Sequence, residues 1–259
     1  MKNIKNKMKG VILAGGSGTR LRPATFVQNK HLLNILNEPI ILYPLRTLIS
    51  LGITDILLIS GGNHLGGFIE FLNDGYEYGV NITYKAQREA GGIAQAIGLA
   101  KDFAGDDYIT VILADNIFGD ITQAFIGGEF DHKLHDDQAA ILVKEVPDAS
   151  RFGVLMGDGF LGENAYKIIE KPENITKGKA VTGLYVYPPS VFDVIKTLKP
   201  SARGELEVTE INNHYLQNGK CRIYDLPHDV YWHDAGTPES LAEVTRWAIE
   251  NRQKIKNAF

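Results

Sequence analysis

Val11-Ile12-Leu13-Ala14-Gly15-Gly16-Ser17-Gly18-Thr19-Arg20-Leu21-Arg22-Pro23 is an apolar run that stops abruptly in glycine. Val11 to Leu13 carry no polar side chain, which predicts a strand covered on both faces, as in a parallel sheet. Outward from this stretch the pattern repeats. Apolar, β-branched runs lie at 10–14, 55–60, 81–85, 108–114, 139–144 and 181–187. Between several of them sit helical patterns at 39–51, 64–72 and 93–103, each closed by a following glycine (Gly52, Gly75, Gly105). Glycine just past the last helical residue is the common C-terminal stop. Strand and helix in alternation mean βαβ units, so the chain is predicted to be α/β with a mostly parallel central sheet flanked by helices. From about residue 145 the rhythm weakens into short strands and turns. A helix is expected at 203–217, strands near 220–225 and 230–233, and a final helix from Thr237 or Pro238 to about Asn257. No linker or repeat interrupts the chain. The expectation is a short N-terminal extension at 1–7, then one domain at 8–259 with halves at about 8–120 and 121–259.

Composition narrows the function. The chain has 259 residues, 44% hydrophobic and 22% charged, with 27 basic against 31 acidic residues and a net charge of −4. A broad basic field for nucleic acid is not expected. Cys221 is the one cysteine, which excludes an internal disulfide and a cysteine-rich zinc site. No apolar run approaches the roughly 18 residues of a membrane helix. The basic start is followed by only 11–14 before the glycines, too short for a signal peptide core. A cytoplasmic protein without membrane or nucleic-acid partners is expected.

The glycine loop is the sharpest chemical feature. Gly15, Gly16 and Gly18 allow a tight turn whose N–H groups, with Ser17 and Thr19, can line an anion nest. Arg20 adds a permanent charge and a planar fork of donors, and Lys30 follows. The loop lacks the Lys-Ser or Lys-Thr of a Walker phosphate loop. It has Leu21 where the dinucleotide fingerprint needs a third glycine, and no helix opens there. Asp115 ends the buried run 108–114, at the sheet edge where α/β folds bind ligands. Asp234 ends a second run, just before Gly236. Two such carboxylates suit Mg²⁺, which takes few protein ligands and prefers oxygen. Glu170-Lys171-Pro172 and Ser201-Ala202-Arg203-Gly204-Glu205 offer Lys171 and Arg203 for a second phosphate. No nucleophile–base pair is apparent. His132 and His135 have helical spacing without a completing carboxylate and read as a solvated face, whereas His31 and His64 read as packing or hydrogen-bonding residues.

Together these residues resemble the sugar-1-phosphate nucleotidyltransferases, in particular the thymidylyl branch. The resemblance runs from about Met8 to Ile249. Besides the loop it rests on Asn29-Lys30-His31-Leu32-Leu33, Gly91-Gly92-Ile93-Ala94-Gln95-Ala96, Asp115-Asn116-Ile117-Phe118, Arg151-Phe152-Gly153-Val154, Glu170-Lys171-Pro172, Val181-Thr182-Gly183-Leu184-Tyr185, Ala202-Arg203-Gly204-Glu205 and Trp232-His233-Asp234-Ala235-Gly236-Thr237. It implies a Rossmann-like nucleotidyltransferase fold with a less regular sugar-binding second half. It also implies roles. Gly15, Gly16, Ser17, Gly18 and Thr19 would wrap a nucleoside triphosphate, and Arg20 and Lys30 would neutralise it during catalysis. Gln87 and Gly92 would read the base. Asp115 and Asp234 would hold Mg²⁺. Asn116, Gly153, Glu170 and Val181 would contact the sugar, and Lys171 and Arg203 its phosphate. The implied substrates are dTTP and glucose-1-phosphate, and the implied assembly is a homo-oligomer. A UTP-dependent or base-tolerant enzyme, or a nucleotide-sugar sensor without catalysis, stays open on the sequence. The chain departs from the family pattern at Leu33-Asn34, where a proline is usual, and at Phe152, where a tyrosine is frequent. It also stops short of the long members, whose extra residues help build an allosteric nucleotide site, so end-product control through that site is not expected.

Overall fold

A computed structural model describes residues 8–122, 137–159 and 165–252. The extension at 1–7, His132 and His135, and the last stretch of the expected final helix lie outside the described residues. In chain order the elements are β1 (Met8–Ala14), β2 (Asn34–Ile35), β3 (Glu38–Pro39), α1 (Leu42–Ser50), β4 (Asp55–Gly61), α2 (Leu65–Leu72), β5 (Asn81–Gln87), α3 (Ile93–Gly98), α4 (Lys101–Ala104) and β6 (Tyr108–Leu113). They continue with β7 (Asn116–Phe118), β8 (Ala139–Val146), β9 (Gly153–Met156), β10 (Lys167–Glu170), β11 (Gly178–Tyr187), α5 (Val191–Thr197), α6 (Val208–Gln217), β12 (Cys221–Asp225), β13 (Trp232–Asp234) and α7 (Pro238–Glu250).

The contacts divide the chain into two units, crossing between them at Met8/Lys9, Ala90/Gly91, Val111/Ile112, Asp120/Ile121 and Val230/Tyr231. The first unit holds Lys9–Ala90, Ile112–Asp120 and the described part of Tyr231–Phe259. Its strands β1, β4 and β5 pair in parallel, with Gly10 opposite Ile56 and Asp55 opposite Asn81. Val11, Ile12, Ile56 and Leu58 are fully buried, as expected for strands covered on both faces. Helix α1 turns Leu42, Leu45 and Leu48 inward and stops at Gly52, which takes a left-handed φ of 75°. A second apolar cluster joins Ile35, Ile40, Tyr43, Ile117, Ala235, Val244 and Ala248. That cluster seats α7 on the β7–β13 ribbon, and the Tyr231 and Trp247 rings stack at 4.2 Å beside it.

The second unit holds Gly91–Val111 and the described part of Ile121–Val230. Its pairing is mixed. β11 runs antiparallel to β8 and β9, β9 runs antiparallel to β10, and β12 lies parallel to β8. Short antiparallel strands explain why the regular alternation of the sequence fades there. Two helix expectations are corrected. The helix at 93–103 breaks after Gly98 into α3 and α4. The helix at 203–217 starts only at Val208, because the preceding residues are held as a loop: Gly204 has φ 76°, its N–H donates to Ser201 O, and Leu206 N–H donates to Gly91 O.

Candidate active site

The first unit gathers the glycine loop, both basic residues and both aspartates. Gly18 has φ 58°, a left-handed conformation that favours glycine. A Cβ there would lie 3.0 Å from Thr25 Cγ2 and 3.1 Å from Lys30 Cβ, so the loop rests on the stem of Lys30. Thr25 Oγ1 donates to Gly18 O at 2.7 Å and fixes the turn. The turn continues as a short 3₁₀ segment at Thr19–Leu21, leaving Arg20 exposed. Gln87, at the end of β5, reaches over the loop: a Cβ added to Gly15 would lie 2.9 Å from its Oε1.

Lys30 opens a 3₁₀ turn capped by Asn29, whose Oδ1 accepts the His31 N–H at 2.9 Å. Asn29 Nδ2 also donates to Ala14 O, at the end of β1. His31 is buried, its Nδ1 is 2.7 Å from Asn29 Oδ1, and burial together with the Lys30 charge depresses its pKa from 6.5 to about 3. It is a neutral packing residue, as the sequence implied.

Asp115 lies two residues past the end of β6. Its Oδ2 accepts from Lys30 Nζ at 2.5 Å and its Oδ1 accepts from Asn116 Nδ2 at 3.0 Å. Burial opposes ionisation of this carboxyl, but the charge of Lys30 and these two hydrogen bonds outweigh it and hold the pKa far below the usual carboxylate range. Asp234 comes beside it through a short ribbon: β13 pairs antiparallel with β7, with Asp234 opposite Asn116, and Ala235 N–H donates to Asp115 O at 2.8 Å. Trp232 Nε1 donates to Asn116 Oδ1 at 2.8 Å, so the buried Asn116 amide bridges the indole and Asp115. The ribbon is anchored by α7, whose N-cap Thr237 forms a reciprocal capping box with Ser240 ahead of Pro238. The turn between them needs a residue without a side chain: a Cβ on Gly236 would lie 2.9 Å from Asp234 Oδ2 and 3.1 Å from Arg20 Nη2. The Asp234 carboxylate and the Arg20 guanidinium therefore flank one glycine.

No group of three or more histidine, cysteine, aspartate or glutamate side chains with metal-binding geometry occurs among the described residues. Two hydrogen-bonded strand ends that each carry a carboxylate are a donor set for a hard cation that completes its shell with water and phosphate oxygens. The residues present fit Mg²⁺ in that sense.

The second unit gathers the remaining candidates. Gly153 stands opposite Glu170 in the β9–β10 pair. Glu170 Oε2 accepts from Thr209 Oγ1 at 2.8 Å, and a Cβ on Gly153 would lie 3.3 Å from that same oxygen. Lys171 has φ 45°, a left-handed backbone costly for a non-glycine residue and frequent at ligand sites, and its N–H donates to Phe152 O. Its Nζ is 3.8 Å from Glu170 Oε1. Val181 lies where the β11–β8 register shifts. Arg203 Nη2 is 3.0 Å from both oxygens of Glu207, and Ser201 Oγ donates to Glu207 at 2.7 Å. Gly92 packs on the same loop, since a Cβ there would lie 2.5 Å from Leu206 O. Thr209 and Glu207 were not singled out in the sequence. The i, i+4 spacing of Arg203 and Glu207 was the one local signal for the latter.

Residues 9–251 match the nucleotidyl transferase family. The chain is 40% identical over 251 residues to a glucose-1-phosphate thymidylyltransferase of Mycolicibacterium smegmatis, covering 96% of this chain and 85% of that protein. It is 39% identical over 251 residues to the enzyme of the same name from Neisseria meningitidis, with the same coverage. A Bacillus anthracis structure provisionally assigned as a glucose-1-phosphate thymidylyltransferase, solved with sucrose, superposes with a TM-score of 0.82 at 45% identity, covering 93% of this chain and 95% of that one. A UDP-glucose pyrophosphorylase bound to UDP-glucose shares the fold, with a TM-score of 0.79 at 21% identity over 95% of this chain and 99% of its own. The chain belongs to the nucleotidyl transferase family.

Proposed function

We propose that this protein is a glucose-1-phosphate thymidylyltransferase, forming dTDP-glucose and pyrophosphate from dTTP and glucose-1-phosphate. The observation that carries this reading is the grouping of Arg20, Lys30, Asp115 and Asp234 around a glycine loop in one unit. The names of the 39–40% identical relatives favour dTTP over UTP.

A sugar-1-phosphate has a second pKa near ~6 and is mostly dianionic at pH 7, so it needs no general base. Its phosphate oxygen forms a bond to the α-phosphorus of dTTP as the bond to the bridging oxygen breaks, and the electron pair leaves with pyrophosphate. Two anions must meet, so positioning and charge neutralisation supply the catalysis. Gly15, Gly16, Ser17, Gly18 and Thr19 take the triphosphate, with Arg20 and Lys30 neutralising the charge that builds on the departing pyrophosphate. Gln87 and Gly92 read the base. Gly153, Glu170 and Val181 take the sugar, and Lys171 and Arg203 its phosphate. Asn116, assigned to the sugar from the resemblance, spends its amide on Trp232 and Asp115, which supports a positioning role as well. Asp115 and Asp234 would hold Mg²⁺, which as a Lewis acid would offset phosphate charge.

The family match across 9–251 supports one functional domain made of both units. No helix among the described residues is long and apolar enough to cross a membrane, and the lone cysteine, Cys221, is free and buried. Both suit a cytoplasmic enzyme. A homo-oligomer is our expectation, to be measured by light scattering. The activity itself is tested by pyrophosphate release with Mg²⁺ across a panel of nucleoside triphosphates and sugar-1-phosphates. Release should require both substrates and be fastest with dTTP and glucose-1-phosphate. Equal or faster turnover with UTP would move the assignment to the uridylyl branch, and no release from any pair would leave a nucleotide-sugar sensor.

A further inference from the structure

Lys30 and Asp115 are 85 positions apart in sequence yet form a 2.5 Å ion pair with side chains only 12% and 18% exposed. The second oxygen of Asp115 is held by Asn116, so this carboxylate has a partner on each oxygen. A lysine ammonium has three donors and no acceptor, and where it holds a carboxylate oxygen it repels a cation seeking that oxygen. The backbone of Lys30 is fixed by the Asn29 cap, while its stem lies against Gly18. The ammonium sits at the end of a flexible four-carbon stem, so it can change partners without moving that backbone.

We propose that Lys30 is the resident counter-ion of Asp115 in the nucleotide-free protein, occupying the oxygen a divalent cation would ligate, so that cation and triphosphate bind together rather than one after the other. The inference rests on the reading of Asp115 as a metal ligand. In the free protein the half-buried carboxylate is never left unpaired, which would be costly. Binding exchanges partners: the ammonium passes to the triphosphate, and the carboxylate passes to the cation. Each ligand alone meets a penalty. The cation alone must displace an ammonium with nowhere to go, and the triphosphate alone must strip Asp115 of its partner.

The test uses Mn²⁺ as the probe, read by the electron paramagnetic resonance signal of the free ion, on the full chain without nucleotide. Lys30→Gln should bind Mn²⁺ more tightly than wild type, by about fivefold to 150-fold, the range of coupling between two ligands on one protein. Lys30→Arg keeps the charge and should bind as weakly as wild type. Equal affinity in wild type and Lys30→Gln would overturn the proposal. If circular dichroism shows that Lys30→Gln does not fold, the reciprocal arm decides. In EDTA, Asp115→Asn should bind dTTP more tightly than wild type by calorimetry, and no gain would overturn the proposal. The underlying reading fails separately. If Asp115→Asn with dTTP holds Mn²⁺ as well as wild type does, Asp115 is no ligand. If Asp115→Asn loses Mn²⁺ but Lys30→Gln gains none, the counter-ion role alone falls.

Discussion

Trp232 donates its indole N–H to the side-chain oxygen of Asn116 over 2.8 Å, across 116 positions of sequence, and Asn116 in turn donates to Asp115. One buried amide thus ties the ribbon carrying Asp234 to the carboxylate of Asp115. Asn116→Ala removes both bonds and leaves a buried indole N–H without this acceptor, which costs about 1–3 kcal/mol. Trp232→Phe removes only the donor and should cost about 1 kcal/mol. Urea unfolding of the two variants measures both. Unchanged stability in Asn116→Ala would mean that the bridge is not holding the ribbon.

Arg20 is exposed and stands across Gly236 from the Asp234 carboxylate. The charge it would meet on the departing pyrophosphate grows only as the α-phosphorus bond breaks, so Arg20→Ala should lower kcat more than it raises KM for dTTP. Losing one such preorganised contact costs about 10²–10³ in rate. Arg20→Lys keeps the charge without the fork and should recover part of it. Steady-state kinetics decide this. A change in KM alone would make Arg20 a binding residue.

The bond from Thr209 to Glu170 offers a test confined to the sugar side. Thr209→Val keeps the shape of the side chain and removes the hydroxyl that orients the glutamate. A hydrogen bond worth about 1 kcal/mol corresponds to a KM for glucose-1-phosphate raised roughly fivefold, with KM for dTTP unchanged. Parallel KM shifts for both substrates would show that Glu170 does not belong to the sugar alone.

Some of this fold and site is written locally in the sequence, and some arises only from tertiary pairing. β1 and its loop were legible because an unbroken apolar run followed by glycines has few structural solutions, and the parallel pairing of β1, β4 and β5 matches the strand–helix alternation. Asp115 and Asp234 stood out because carboxylates at strand ends beside glycine are chemically conspicuous. The roles of Asn116 and Thr209 were not legible. Asn116 is set by pairing between two three-residue strands distant in sequence, which no local pattern encodes. Thr209 depends on where α6 begins, and tertiary bonds from Leu206 to Gly91 and Ala94 hold the start of that helix back to Val208. The Lys30–Asp115 pair is likewise a product of the fold alone.

His31 supplies a pH test independent of activity. Its pKa is about 3 in the folded protein against an ordinary 6.5, so below about pH 6.5 the unfolded chain takes up a proton that the folded protein refuses. Stability contributed by the neutral histidine is therefore present above pH 6.5 and is lost as pH falls toward 3. A shift of this size amounts to about 2–3 kcal/mol by about pH 4.5. His31→Gln cannot titrate, so the stability difference between wild type and variant, followed by urea unfolding, should move in favour of the variant by that amount between pH 7 and about 4.5. A difference that stays constant with pH would show that His31 is accessible to protons in the folded state.

Attack of the sugar phosphate on the α-phosphorus of dTTP is the central claim, and an oxygen label follows it directly. Glucose-1-phosphate carrying ¹⁸O on its three terminal phosphate oxygens is mixed with dTTP, Mg²⁺ and the protein, and the products are resolved by ³¹P NMR and mass spectrometry. In-line transfer predicts that all of the label enters dTDP-glucose, one ¹⁸O bridging the two phosphorus atoms and two on the phosphorus next to glucose, while pyrophosphate carries none. Label appearing in pyrophosphate, or dTTP cleaved to dTMP and pyrophosphate while the label stays in glucose-1-phosphate, would contradict the account.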